Sequence, residues 1–287
     1  MGIANPGAVA PFHIVPLMAS FGASIDGAEL SNPVHLEALK TAFRDHRLVA
    51  VRGQALTKGK MFAFASAFGV IEGHTVQQHD GSKWDAVHTV TNLDANGSPV
   101  EKPFINSNYF WHTDKSFLEK PALTTMLHAV ELPPKGGDTQ FADMTAAYRA
   151  LSDETKKRIE GMRVIHSLEY MRRFTGSAPP TEDDLASAPP ISHPLVRTHQ
   201  ETGDKSLYLG MYCSHIDGMP VEEGRRLVED LQAHATSERF VYTHSWRPGD
   251  LMFWDNRCTL HRAIANYEMG RHRRVLMRVV VKGDAPF

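Results

Sequence analysis

The sequence predicts a mainly β protein, a double-sheet jelly roll with helices added, and three observations carry that expectation. Short apolar or alternating runs recur between turn-forming residues: Leu48 to Val51, Leu123 to Leu132, Phe240 to Trp246, Leu251 to Trp254 and Arg274 to Val281. Helical spacing falls early in the chain and in insertions between these runs. No internal repeat and no linker rich enough to separate two units interrupts residues 1–287, so they are expected to form a single domain.

Residues 1–12, rich in Pro, Gly and Ala, are expected to be loose, and His13 to Leu30 reads as an entry strand and turn. From His35 the apolar positions Leu36, Leu39 and Phe43 recur at helical spacing behind Asn32-Pro33, a pair suited to capping and starting a helix. Leu48 to Val51 is a short buried strand closed by Arg52-Gly53, and Thr57 to Phe68 a second helix, Phe-rich on its buried face and ended at Gly69. From about 70 to 108 the pattern is irregular, with His74, His79, Gly81, His88, Asn96-Gly97 and Pro99. A loop-rich span of this length inside a domain predicts a pocket wall or lid. The strand over Leu123 to Leu132 is broken by Pro133-Pro134-Lys135-Gly136-Gly137, and Thr139-Gln140-Phe141 begins the next. Ala146 to Leu151 is helical, and Ser152 caps a helix from Asp153 to Gly161. The hydrophilic insert from about 172 to 190 has two Pro-Pro pairs and no apolar period, so a mobile surface segment is expected, able to close over a substrate. Pro194 to His199 and Lys205 to Gly210 make a hairpin about Glu201-Thr202-Gly203-Asp204, and Val221 to His234 an amphipathic helix that buries Leu227, Val228 and Leu231. Arg247-Pro248-Gly249-Asp250 is a tight turn between the late strands.

With 31 basic against 33 acidic residues and a formal charge of -2, the chain has no electrostatic footprint for nucleic acid or an anionic membrane, which leaves a small molecule as the expected partner. Cys213 and Cys258 cannot build a disulfide framework and read as small buried apolar residues. The N-terminus lacks the basic n-region and continuous apolar h-region of a secretory signal, so none is expected, and no apolar run approaches the ~20 residues that span a bilayer. Met1-Gly2 opens like a myristoylation signal, but Pro6 stands where Ser or Thr is required. A soluble cytoplasmic protein is expected.

Chemistry concentrates at Trp111-His112-Thr113-Asp114. On a β-strand, side chains two apart point to the same face, so His112 and Asp114 would stand together about 6.6 Å apart along the chain. A remote histidine, His261, would complete a 2-His-1-carboxylate set with three open positions, the geometry of non-haem Fe(II) oxygenases. Among 16 histidines a lone His-x-Asp arises easily, and a polar strand end is the competing reading. The company decides between them: Gly136-Gly137-Asp138-Thr139 follows, Trp254-Asp255-Asn256-Arg257 leads into His261-Arg262, and Arg273, Arg274 and Arg278 come after.

From about Ile25 to the C-terminus these motifs, with Pro194 to His199 between them, resemble the Fe(II)/2-oxoglutarate-dependent dioxygenases of the taurine dioxygenase and 2,4-dichlorophenoxyacetate dioxygenase group. The resemblance implies a cupin-type double-stranded β-helix with the metal at its open end. It implies Fe(II) on His112, Asp114 and His261, with 2-oxoglutarate and O2 as cosubstrates, and an assembly of several subunits. It also assigns Arg274 and Thr139 to the far carboxylate of 2-oxoglutarate. The spacing of 13 from His261 to Arg274 (274 - 261) is slightly long for the group, so a bulge or longer loop around Met269-Gly270 is implied and Arg273 is the adjacent candidate.

Iron with three such ligands carries +1 and 2-oxoglutarate -2; Arg274 balances the sum, and Arg278, about 13 Å further along a strand, is then spare positive charge for an anionic substrate. In the group the corresponding Arg holds a substrate carboxylate or sulfonate. His74 and Asn108 match substrate positions of the taurine branch, whereas Pro194 to His199, Ser214 to Pro220 and Trp254 to Arg262 look closer to the phenoxyacetate branch. Tyr109, Phe110, Phe117, Met211 and Tyr212 are candidates for an aryl pocket or for ordinary packing. His199, His215, His234 and His244 read as structural or surface residues. The implied reaction converts 2-oxoglutarate to succinate and CO2 while hydroxylating the carbon beside the ether oxygen of an aryloxyalkanoate. An aryloxyacetate would give a phenol and glyoxylate. The alternative is oxidation of taurine or an alkylsulfonate to sulfite and an aldehyde. A non-catalytic metal-binding cupin or a zinc hydrolase would have no use for the Arg274/Thr139 pair.

Overall fold

Alternation of side chains between two faces organises the computed structural model, which describes residues 12–73, 86–101 and 107–287. The chain enters through β1 (His13–Pro16) and β2 (Ala23–Asp26), paired antiparallel with Ile14 opposite Ile25. Asn32 accepts a hydrogen bond from Val34 N and Pro33 fills the first helical position, which starts α1 (Pro33–His46). β3 (Leu48–Val51) returns parallel to β2, and α2 (Lys58–Ser66) is capped by Thr57. Then come β4 (Val87–Thr91), β5 (Ala122–Glu131) and β6 (Thr139–Asp143). Asp143 caps α3 (Met144–Arg149), and Ser152 caps α4 (Asp153–Ile159). β7 (Arg163–His166), α5 (Leu168–Thr175), α6 (Glu182–Ser187) and β8 (Ile191–Pro194) follow. β9 (Val196–Thr198) and β10 (Lys205–Leu207) form the expected hairpin, then β11 (Cys213–Ile216) and α7 (Val221–Ala235). The chain closes with β12 (Val241–His244), β13 (Leu251–Asp255), β14 (Thr259–Ala263) and β15 (Val275–Lys282).

The larger sheet runs β1-β2-β3-β13-β5-β15-β4, and a smaller one runs β12-β6-β14 against it. Strand parity separates the cores. Val49 and Val51 of β3 and Leu251 and Phe253 of β13 pack outward with α1 and α2, where Phe43, Phe64 and Phe68 surround Phe253 with ring centroids 5.5–5.7 Å away. Their alternates, Leu48, Ala50, Met252 and Trp254, face Phe141 of β6 between the two sheets. A third cluster lies beyond the smaller sheet, where α3 and α7 pack with β7, β10 and β11. This is a jelly roll with helices added outside each sheet.

Three expectations need correction. The span from 70 to 108 is not irregular throughout: β4 lies inside it and pairs with β15, with His88 opposite Arg278. The insert from 172 to 190 holds the end of α5 and the whole of α6, whose Thr181 and Asp184 form a reciprocal capping box. His112 is not on a continuous strand; it makes a single bridge to His261, and the chain turns at Asp114. The N-terminus through residue 11, and His74 and His79, lie outside the described residues. Among the described residues no helix is long and apolar enough to cross a membrane.

Candidate active site

His112 and His261 meet through reciprocal backbone hydrogen bonds, His112 N to His261 O at 3.0 Å and His261 N to His112 O at 2.8 Å. Their rings lie 4.0 Å apart. Pleat parity does not bring Asp114 alongside, since Lys115 takes a left-handed φ of 60° and the chain folds back. The turn leaves Asp114 Oδ1 3.9 Å from His112 Nε2 and Oδ2 3.7 Å from His261 Nε2.

All three side chains are buried, and their ligand atoms lie within 4.8 Å of one another. His112 Nδ1 is 2.7 Å from Phe110 O, which makes Nδ1 the protonated nitrogen and leaves Nε2 as a lone pair facing the cluster. His261 Nδ1 has no hydrogen-bond partner among the described residues, so this ring lacks the donor-acceptor pairing of a structural histidine. Burial pushes both histidines below their usual range, His261 well below, so both are neutral and their contacts with Asp114 are not ion pairs. Burial opposes ionisation of Asp114, but the Arg278 guanidinium beside it and a 2.5 Å hydrogen bond from Thr125 Oγ1 hold its carboxyl well below the ordinary range. Two neutral imidazoles and one carboxylate are the donor set of an Fe(II) facial triad, and the residues present fit that metal.

Arg274 stands immediately before β15. Its Nε donates to Gly137 O at 2.8 Å, Nη2 lies 3.4 Å from Thr139 Oγ1, and its backbone N donates to Asn92 Oδ1 at 2.8 Å. Burial lowers its pKa, and no carboxylate forms an ion pair with it among the described residues. The two glycines of the Gly-Gly-Asp-Thr motif allow the close approach. At Gly136 (φ +78°) a Cβ would meet Asn266 O at 2.2 Å, and at Gly137 (φ +72°) it would meet Arg274 Cδ at 3.1 Å. Arg273 instead points outward, paired with Glu131 at 2.6 Å and with Gly97 O. Asn92 also donates to Met269 O at 2.6 Å and His272 O at 2.9 Å, pinning the long loop before β15.

Arg278 is not spare charge, as the sequence count expected. Its Nη2 donates to Asp114 Oδ1 at 2.6 Å, and Nη1 lies 3.4 Å from His88 Nε2. The charge count failed because it gave Asp114 wholly to the metal. Asn108 lies in the one-turn helix Ser107–Tyr109, which packs on β14. Close to the triad, Tyr212 and Phe117 stand with rings 4.8 Å apart, and Phe110 meets Phe174 of α5 edge-on at 5.3 Å. Burial, followed by the negative charge of Asp114, pushes the Tyr212 hydroxyl well above its usual range.

A second buried group, His199, Asp255 and Cys258, is already satisfied. Asp255 accepts from His199 Nε2 at 3.0 Å and from Arg257 Nη2 at 2.6 Å, and burial pushes the Cys258 thiol well up. His234 and His244 contact Ala147 O and Asp250, and His215 contacts Ser214, as structural or surface residues do. Sequence reasoning missed Asn92, Thr125 and Asn256, all buried around the triad and Arg274. Asn256 sits inside a motif quoted for other reasons; Asn92 and Thr125 carry no local signal.

The model of the taurine catabolism dioxygenase TauD, TfdA family matches residues 13–280. An alpha-ketoglutarate-dependent 2,4-dichlorophenoxyacetate dioxygenase of Cupriavidus pinatubonensis is 36% identical, covering 96% of this chain and 97% of its own length. An (S)-phenoxypropionate/alpha-ketoglutarate-dioxygenase of Sphingobium herbicidovorans is 33% identical over 95% of this chain and 96% of its own. The crystal structure of AAD-2 in complex with Mn(II) and N-oxalylglycine superposes with a TM-score of 0.86 at 36% identity, covering 96% of this chain and 98% of that one.

Proposed function

Because the chain belongs to the taurine catabolism dioxygenase TauD, TfdA family, we propose that it is an Fe(II)- and 2-oxoglutarate-dependent dioxygenase that hydroxylates the carbon beside the ether oxygen of an aryloxyalkanoate. The observation that carries this reading is Arg274, a buried guanidinium with no carboxylate paired to it among the described residues. A buried charge left alone costs several kcal/mol or more, so such a cation is built to receive an anion. Thr139 Oγ1 already receives Trp246 Nε1 at 3.0 Å and faces Arg274, which leaves its hydrogen for the same anion. Arg274 and Thr139 thus hold the far carboxylate of 2-oxoglutarate, while His112, Asp114 and His261 hold the iron. Bound iron would supply the activation of O2 that couples decarboxylation of 2-oxoglutarate to succinate and CO2 with hydroxylation of the substrate.

Arg278 orients the substrate. It lies within hydrogen-bond reach of Asp114, so an acid group on its guanidinium sets the adjacent carbon beside the triad. That is the carbon next to the ether oxygen in an aryloxyacetate, and the hemiacetal formed there collapses to a phenol and glyoxylate. Tyr212 and Phe117, with Phe110 and Met211 in the same cluster, offer an aromatic surface for the aryl ring. Two relatives named for 2,4-dichlorophenoxyacetate are 36% and 38% identical, against 29% for one named for sulfate esters and 31% for a solved structure named for taurine. The test is succinate and phenol release with Fe(II), 2-oxoglutarate and ascorbate across aryloxyacetates, aryloxypropionates, taurine and alkylsulfonates. Preferred turnover of an aryloxyalkanoate, with Arg278→Gln raising KM for the acid and sparing that for 2-oxoglutarate, is expected. Taurine turned over ahead of every aryloxy acid would reverse the choice of substrate.

A further inference from the structure

We infer that Asn256 and Thr125 are positioning residues that fix the Asp114 carboxylate through a hydrogen-bond relay of set polarity. The inference rests on the reading of His112, Asp114 and His261 as metal ligands. Asn256 Oδ1 lies 3.0 Å from Trp254 Nε1 and 3.3 Å from Asp114 N, and neither of these groups can accept a hydrogen bond. The atom facing them must therefore be the carbonyl oxygen, and the amide orientation follows. Asn256 Nδ2 is then forced toward Thr125 and donates to its Oγ1 at 3.1 Å. With that lone pair occupied, the Thr125 hydroxyl hydrogen is directed at Asp114 Oδ2, 2.5 Å away.

The relay is anchored on rigid parts. Thr125 is 0% exposed on β5, between the sheets, and Asn256 is 1% exposed at the end of β13, where its backbone N donates to Leu123 O at 2.9 Å. Thr113 Oγ1 donates to Asn256 O at 2.7 Å, so the same asparagine also holds the residue between the two ligands. Asp114 is on a turn with a left-handed neighbour, and a turn alone would let its carboxylate rotate. Arg278 contacts the other carboxylate oxygen, but it is reserved for substrate in the reading above and is more exposed than Thr125. Asn256 and Thr125 therefore hold the carboxylate aimed while Arg278 is drawn to an incoming acid. Groups that orient metal ligands in this way typically contribute tenfold to a hundredfold in metal affinity.

The test is anaerobic Co(II) titration of the full-length metal-free protein, followed by visible absorption, beside thermal unfolding of each metal-free variant. Thr125→Val keeps the shape and removes the donor, so Co(II) affinity should fall by about tenfold to a hundredfold. Thr125→Ser should restore it. Asn256→Asp reverses the relay, since its carboxylate takes the Thr125 hydrogen from Asp114, and a comparable loss is expected. Thr124→Val is the control for a generic core effect, because Thr124 is buried on the same strand and its hydroxyl has no hydrogen-bond partner among the described residues. Parent-like Co(II) affinity in folded Thr125→Val, or an equal loss in Thr124→Val, would overturn the relay. Should Asn256→Asp fail to fold, the Val and Ser variants of Thr125 decide the matter. If the parent itself takes up Co(II) no better than Asp114→Ala, the metal-site reading fails first and the relay with it.

Discussion

Replacing Arg274 with Lys separates a bidentate carboxylate clamp from a point charge. In the structure one of the five guanidinium N-H groups is committed to Gly137 O and a second faces Thr139, which leaves three for the cosubstrate. A lysine ammonium has no planar fork, so holding Gly137 O turns it away from the carboxylate. One charge-assisted hydrogen bond is worth ~1.5–3 kcal/mol, and at ~1.4 kcal/mol per decade the expected loss is about tenfold to a hundredfold. Succinate formation measured against 2-oxoglutarate at saturating aryloxyacetate should show that rise in KM, with little change when the acid is varied instead. Arg273→Lys should be silent, because Arg273 points outward to Glu131. An unchanged KM for 2-oxoglutarate in Arg274→Lys, or the same rise in Arg273→Lys, would refute the assignment.

Gly137→Ala should raise KM for 2-oxoglutarate and lower stability, since the left-handed conformation costs a β-carbon ~1–2 kcal/mol and Arg274 Cδ lies 3.1 Å from where it would stand. Steady-state kinetics and a melting curve check both parts. Phe253→Ala removes the ring at the centre of the outer aromatic cluster and should cost about 3–5 kcal/mol, read by urea unfolding. His166 and His193 are buried with rings 5.1 Å apart, and burial lowers both below the usual 6.5. Because the unfolded chain binds protons more readily, the stability they contribute is complete above about pH 6.5 and is lost as pH falls, by up to ~1.4 kcal/mol per unit for each. Unfolding free energies from pH 7.5 to 5 should show the slope, and His166→Phe should flatten it.

Local signals carried the elements that local physics decides. Asn32-Pro33 announces α1 because a cap and a fixed φ act within one turn, and Leu48 to Val51 announces a buried strand because every position is apolar. β4 escaped because Val87–Thr91 mixes Val with His and Thr, and its place is set by β15, nearly two hundred residues away. α5 is hidden because the hydrophilic stretch begins at Arg172 and cuts its eight residues in half. The same division holds at the site. The ligand residues were visible because their types and spacing are peculiar, and the structure gathers His112, Asp114 and His261 as that spacing suggested. The means were not visible: a single bridge and a turn replace strand parity, and Asn92, Thr125 and Asn256 act through contacts of long sequence separation. Arg278 shows the limit of charge counting, because a sum of charges does not say which carboxylate a guanidinium reaches.

The paired backbone hydrogen bonds between His112 and His261 also bear on how the molecule is made. Residues 149 apart (261 - 112) meet there, and closing a loop of that length costs on the order of 4 kcal/mol in chain entropy, so the bridge forms only after the sheets that frame it. During synthesis, a chain still lacking β14 carries His112 and Asp114 without their third companion. A fragment ending before Thr259 is accordingly expected to bind Co(II) no better than the unfolded chain. Iron is then expected to bind the folded molecule and to add to the stability of the closed fold.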